Sequence, residues 1–166
     1  MTRLTTGGRH DYDKVAPLVG RVLVAAIFVL SGIAKVADWS GSLSHMTDKH
    51  LPVPELLLAA AAAIEIVGGV ALLLGLKARW AGLMLALYLV PVTLVFHHFW
   101  DLAGPERLMQ MVHFMKNLAI MGGLTYVFAY GPGRVSIDRR IGARRARHEE
   151  DASRLPDYRA HAHEPV

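Results

Sequence analysis

Four apolar runs constrain this chain more than any other feature. They fall at roughly Pro17 to Ala37, Pro54 to Leu76, Trp80 to Phe99 and Leu108 to Ala129. Each is about 20 residues long, the length of helix that crosses a hydrocarbon core ~30 Å thick. Inside hydrocarbon a segment must satisfy its own backbone polar groups, so runs of this kind form helices. The expected fold class is all-α: a membrane-spanning four-helix bundle, up-down-up-down, with short loops. Hydrophobic residues make up 53% of the chain, and the polar remainder collects in the two tails, so no soluble domain is left over. The expected organisation is a polar tail over residues 1–14, a transmembrane domain over 15–133 and a basic, largely disordered tail over 134–166. Within that tail, residues 137 to 147 have the composition of a basic helix lying on the membrane surface.

The basic residues follow the same division. The first tail holds Arg3, Arg9 and Lys14, and the loop between the second and third runs holds Lys77 and Arg79. Eight arginines follow the last run, from Arg134 to Arg159, whereas the other two loops contribute only Lys49 and Arg107. The positive-inside rule then puts both termini and the middle loop in the cytoplasm. The net charge of +4 reads as a topology signal. No nucleic-acid recognition motif accompanies it, so no nucleic-acid partner is expected. The first run has the length of a signal-peptide core, but "KVADWSG" after it offers no small-x-small cleavage site, and it reads as a retained span. The chain has no cysteine, which excludes disulfides, thiol redox chemistry and cysteine-ligated metal clusters.

Local signals refine the runs. Residues 38 to 53 are long enough for a short interfacial helix, with Trp39 suited to headgroup level. Pro52 and Pro54 set the start of the second helix and Gly75 its end. Pro91 leaves a carbonyl unpaired in the third and is expected to kink it. "GPG" at 131 to 133 stops the fourth.

Charged and polar side chains at membrane depth carry the functional signal, because each costs about 2.5–3.5 kcal/mol on insertion scales unless it finds a partner or a wet cavity. Glu65 lies near the middle of "LLLAAAAAIEIVGGVALLLG". Its helical face is Ala61, Ala62, Gly68, Gly69 and Leu72, almost bare of bulk, so another helix can come close. In the last run Gln110, His113 and Asn117 share a face, with Lys116 beside His113. Lys35 ends the first run and His97 and His98 end the third. Antiparallel helices bring all of these into the outer half of the bundle. The expected partners of Glu65 are Lys116 and His113, with Lys35 above them. Glu65, Lys116 and His113 are the candidate catalytic residues, and Lys35, His97, Gln110 and Asn117 the candidate ligand-binding ones. Simpler readings stand beside these: Lys35 and Arg21 as snorkelling anchors, Asn117 and Gln110 as interhelical hydrogen-bonders, a Glu65–Lys116 pair as a structural lock. The histidines and Glu65 are suitable ligand types, but their spacing is not a metal motif and no metal is expected.

Several pieces resemble the DoxX family of small four-helix membrane proteins. "GRVLVAAIFVLSGIAKV" supplies Arg21, Phe28, Gly32 and Lys35 of an R…F…G…K pattern. "EIVGGVALLLGLKARWAGLML" supplies a glutamate, a glycine pair, a glycine and a basic turn. "HFMKNLAIMGGL" and "GPGRVSID" fit the fourth helix and its close, so the resemblance spans about residues 15 to 138. It implies an integral protein of the bacterial inner (plasma) membrane. It also implies association with quinone-linked oxidoreductases and with oxidative stress. A quinone ring would sit near Phe28, Phe114 and Met115, its carbonyls meeting Lys35, Lys116 or His113, with Glu65 as proton acceptor or counter-ion. Lipid, oxidoreductase proteins and a second copy of the chain are the partners considered. A proton-coupled solute transporter and a non-catalytic assembly factor are the alternative functions.

Overall fold

A computed structural model describes residues 7–154 of the chain. Its elements there are all helical: α1 (Gly7–Ala37), α2 (Trp39–Asp48), α3 (Pro54–Leu74), α4 (Ala78–Phe96), α5 (Gly104–Tyr130) and α6 (Ile137–Arg154). Three stretches are long and apolar enough to cross a membrane: Lys14–Ala37 within α1, α3 and α4. The sequence suggests a fourth in α5. That helix has the length, 27 residues, but Gln110, His113, Lys116 and Asn117 dilute its apolar character.

The long helices pack in chain order. Gly32 of α1 lies against Glu65 and Ile66 of α3, and Gly69 of α3 lies against Phe28 and Val29 of α1, so α3 runs back along α1. Gly68 on the same α3 face meets Met84 and Leu85 of α4. A side-chain carbon at any of these glycines would collide with its neighbour, which is why the helices approach so closely. The buried face of α3 is Leu58, Ala61, Ala62, Glu65, Gly68, Gly69 and Leu72, the face its sequence marks as bare. On α4, Gly82 faces the Leu124 carbonyl of α5. The core is Ala25, Phe28, Leu72, Leu85, Leu89, Ile120 and Leu124 with their neighbours. Outside it, large apolar side chains such as Leu23, Leu30, Val67, Leu87 and Val112 are exposed, as expected where lipid replaces water. Trp39 and Trp100 at one end, and Trp80, Tyr126 and Tyr130 at the other, are exposed too, in the manner of interfacial aromatic belts. α4 continues through Pro91.

α2 fills the first loop. Asp38 caps it by accepting from the Gly41 amide at 3.1 Å, and Met46 packs on Leu58 and Ala61 of α3.

The opposite end is held by "GPGRVSID". Arg21 is buried, 3% exposed, and donates to the carbonyls of Pro132 and Val135. It is a latch rather than a snorkelling anchor. Asp138 accepts from the amides of Lys77 at 2.7 Å and Ala78 at 2.9 Å, satisfying two of the free N–H groups at the start of α4. Its own amide donates to the Gly75 carbonyl at 3.0 Å. Gly75 closes α3 with φ +67°, and a Cβ there would lie 2.5 Å from that of Ser136. From Ile137 the chain is helical to Arg154, where the sequence suggests a largely disordered tail holding a shorter helix. Helix α1 likewise begins at Gly7, inside the expected polar tail; residues 1–6 and 155–166 lie outside the described residues.

These contacts separate two glycines of similar appearance. Gly75→Ala should destabilise by about 1–2 kcal/mol, from the left-handed backbone alone, and more from the clash. Gly122→Ala, in the interior of α5 with open space around it, should be neutral or stabilising by up to ~1 kcal/mol. Thermal unfolding of the two variants in detergent checks this; equal melting temperatures would show that the turn does not bear on the fold.

Candidate functional site

Glu65 is the centre of the polar interior. It is 4% exposed, at mid-helix, on a face where small residues admit α1 on one side and α4 on the other. Lys35, near the C-terminal end of α1, reaches it: Nζ donates to Oε1 at 3.0 Å and Oε2 at 2.8 Å. The same ammonium donates to Ser31 Oγ at 2.8 Å, one turn back on α1. From α4, the Tyr88 hydroxyl donates to Glu65 Oε1 at 2.7 Å. Three helices therefore meet at one carboxylate. Oε1 accepts two hydrogen bonds and Oε2 one, so the carboxylate retains capacity to accept.

This arrangement corrects the expected pairing. Glu65 does not pair with Lys116 and His113. α4 stands between α3 and α5, and Lys116 turns to its own helix, donating to His113 Nδ1 at 3.1 Å. The ring of His113 packs on that of His97, centroids 5.2 Å apart. His97 Nδ1 donates to Gln110 Oε1 at 2.9 Å, and the buried Asn117 donates to Thr93 Oγ1 at 3.0 Å. These contacts join α4 to α5. His98 donates to the nearby Val95 carbonyl and stays apart. Among the described residues no group of three His, Asp or Glu side chains could hold a metal ion.

A cavity of about 740 Å³ adjoins the triad of Lys35, Glu65 and Tyr88. Its wall is mostly apolar, with Phe28, Leu58, Leu89 and Ile120 among the lining, and its polar groups include the triad, His45, His97, Lys116 and Asn117. His113 and Gln110 are not in that wall. Nor are Phe114 and Met115: Phe114 packs edge-on to Phe99 and Trp100, and Met115 is exposed. Of the three side chains expected around a ring, only Phe28 is there. Sequence reasoning missed Tyr88 and Thr93. The signal was available, since they are the only hydroxyl side chains in α4, and each bonds to a polar group of a facing helix.

A chain whose described elements are all helices, with an exposed apolar surface, three apolar helices of spanning length and a buried ion pair beside a cavity, is an integral membrane protein. The comparisons define it further. The DoxX family profile matches residues 16–98, half of the chain. Inner membrane protein YphA of Escherichia coli (strain K12) is 29% identical over 133 residues, covering 78% of this chain and 95% of YphA. Inner membrane protein YqjF of the same organism is 33% identical over 127 residues, covering 76% of this chain and 92% of YqjF. Surfeit locus protein 4 homolog of Schizosaccharomyces pombe is 28% identical over 133 residues, which span 38% of that longer protein. No solved structure matches the chain. The chain belongs to the DoxX family. Arg21, Lys35, Glu65 and Tyr88 all fall inside the matched segment, while the polar set of α5 falls outside it.

The ion pair makes a specific demand on variants. Lys35→Met leaves a buried carboxylate uncompensated and should cost about 3–5 kcal/mol. The double variant Lys35→Met/Glu65→Leu should recover most of that loss. Melting temperatures of both in the same detergent test this; a double variant no more stable than Lys35→Met would mean the pair is not the source of the loss.

Proposed function

We propose that this DoxX protein is a redox-associated subunit of the bacterial inner membrane that holds an amphipathic ligand, a quinone in the first instance, in the cavity beside Lys35, Glu65 and Tyr88. One observation carries the reading: a donor and an acceptor, fixed by three helices, face an apolar chamber of about 740 Å³, within the ~300–1,000 Å³ range of small-molecule sites. Lys35 Nζ spends its three N–H groups on Ser31 and the two Glu65 oxygens, and a ring carbonyl would take the one now given to Ser31. Glu65 retains lone pairs that accept from the hydroxyl of the reduced ring. The site thus suits both oxidation states of a quinone. Phe28, Ile64 and Leu89 in the cavity lining would bury the ring faces. The chain has no cysteine, so electrons would come from a partner oxidoreductase in the same membrane.

The topology that goes with this reading has α5 as a fourth span and both termini in the cytoplasm. Lys77, Arg79 and Arg134 to Arg147 lie at the Arg21 end of the bundle, which the positive-inside rule assigns to the cytoplasm. The cavity then lies in the outer half of the membrane. α5 tolerates its polar residues because Gln110 and Asn117 bond to α4 and Lys116 faces the cavity.

Short-chain quinone added to the detergent-purified protein should raise its melting temperature saturably. The Lys35→Met/Glu65→Leu variant, which keeps the packing and removes the charged hydrogen-bonding groups, should bind about 10–100-fold more weakly. Gently extracted protein should retain quinone detectable by mass spectrometry. An equal thermal response in both proteins, with none retained, would remove the ligand reading.

A further inference from the structure

Helix α6 takes no part in the cavity wall. The first turn of α6 is fixed: Asp138 caps α4, and the Ser136 hydroxyl donates to the Gly133 carbonyl at 3.0 Å while accepting from the Arg139 amide. From Arg139 to Ser153 every residue is exposed, so beyond its first turn α6 has no face buried in the core. Its charges are sorted twice. Along the axis, Arg139, Arg140, Arg144, Arg145 and Arg147 come first, and Glu149, Glu150 and Asp151 follow. Around the axis, Ile137, Arg140, Ile141, Arg144, Arg147 and His148 follow the spacing that puts residues on one face. Arg145 flanks that face beside Ile141. Asp138, Glu149 and Glu150 lie off it, while Asp151 closes its far end.

Two isoleucines bordered by four arginines, starting where a membrane-spanning hairpin turns, form a face for the boundary between acyl chains and headgroups. At ~1.5 Å per residue, Arg147 is about 15 Å along the helix from the anchored turn. Lys77, Arg79 and Arg134 add charge at the same level. We propose that this face of α6 lies on the leaflet that surrounds its own bundle and binds anionic phospholipid headgroups. The Asp138 cap sets where the helix starts. The isoleucines enter the boundary and the arginines pair with phosphates. The acidic end points the distal part of the helix off the surface.

The absence of cysteine makes the test direct, because one introduced cysteine takes a fluorophore uniquely. The full chain is reconstituted in nanodiscs of phosphatidylcholine alone or with phosphatidylglycerol, each doped with a headgroup-level nitroxide lipid. A label at His148→Cys, on the basic face, should be quenched in the phosphatidylglycerol discs and much less in the neutral ones. A label at Ala146→Cys, on the opposite face, should be quenched less in both. Each arginine contributes about fivefold to partitioning onto an anionic surface, so R140Q/R144Q/R145Q/R147Q should abolish the difference between the two lipids. These arginines are exposed, so the variant keeps the bundle fold, checked by its melting temperature. Quenching that ignores lipid charge, that is the same on both faces or that survives the arginine changes would overturn the proposal. So would a His148→Cys label left unquenched in both lipids, the result expected if a soluble acidic partner occupied the face instead.

Discussion

The Lys35–Glu65 pair is the interaction on which the rest of the interior depends. A carboxylate at mid-membrane is sustained only by a partner close enough to offset its desolvation. The lysine reaches it because Gly32, one turn before Lys35, lies directly against Glu65. A larger residue there would push α1 away and lengthen the bond. Packing and electrostatics therefore set the same register: the glycine that lets the helices touch lies next to the charges that need them to. Tyr88 extends the constraint to α4, so a slip of α3 against either neighbour would strand a charge.

A second constraint acts at the other end of α1. Arg21 is as buried as Glu65, but its partners are backbone carbonyls of the segment after α5, not a carboxylate. Through it, α1 is tied to the Gly131–Asp138 stretch, which in turn caps α4 through Asp138 and packs Ser136 on Gly75. The conformation of "GPGRVSID" follows from these jobs. Pro and Gly end the helix, Ser136 opens the next one, and Asp138 neutralises the exposed amides of a neighbour. Each residue is local in sequence and non-local in effect.

The sequence carried much of this. The buried face of α3 could be read from Ala61, Ala62, Gly68 and Gly69, because absence of bulk is visible in a one-dimensional string. The polar interior could be read as well, since charges in apolar runs stand out. The partner of Glu65 could not. Counting residues from a helix end gives depth, and at that level of reckoning Lys116, His113 and Lys35 are alike. Choosing among them requires the order of helices around the bundle axis, which places α4 between α3 and α5. Tyr88 does not stand out in the sequence, because a tyrosine in an apolar helix is ordinary until its hydroxyl is seen to need an acceptor. The length of α6 is hidden in the sequence for a related reason. Its low apolar content argues against a packed helix, but a helix anchored at its first turn and rich in Arg and Ala needs little packing to persist.

The same order of contacts explains why there is a cavity. On one side, α1 and α3 are joined by the ion pair. On the other, α4 and α5 are joined by Asn117–Thr93 and His97–Gln110. Tyr88 links the two halves through α3 and α4, and Arg21 clamps them at the far end. Between Val22 and Lys35, no hydrogen bond joins α1 to α5 among the described residues; their contact is apolar, with Gly123 against Val24 and with Ile120 and Leu124 sharing the core with Ala25 and Phe28. Two hairpins clamped at the Arg21 end, and joined along this edge by apolar contacts alone, leave a space toward the Lys35 end. The space they leave is lined by the Lys35–Glu65–Tyr88 triad on one side and by His97, Lys116 and Asn117 on the other, with His45 of α2 at its wall. A chamber with those walls follows from where the helices are tied together and where they are not.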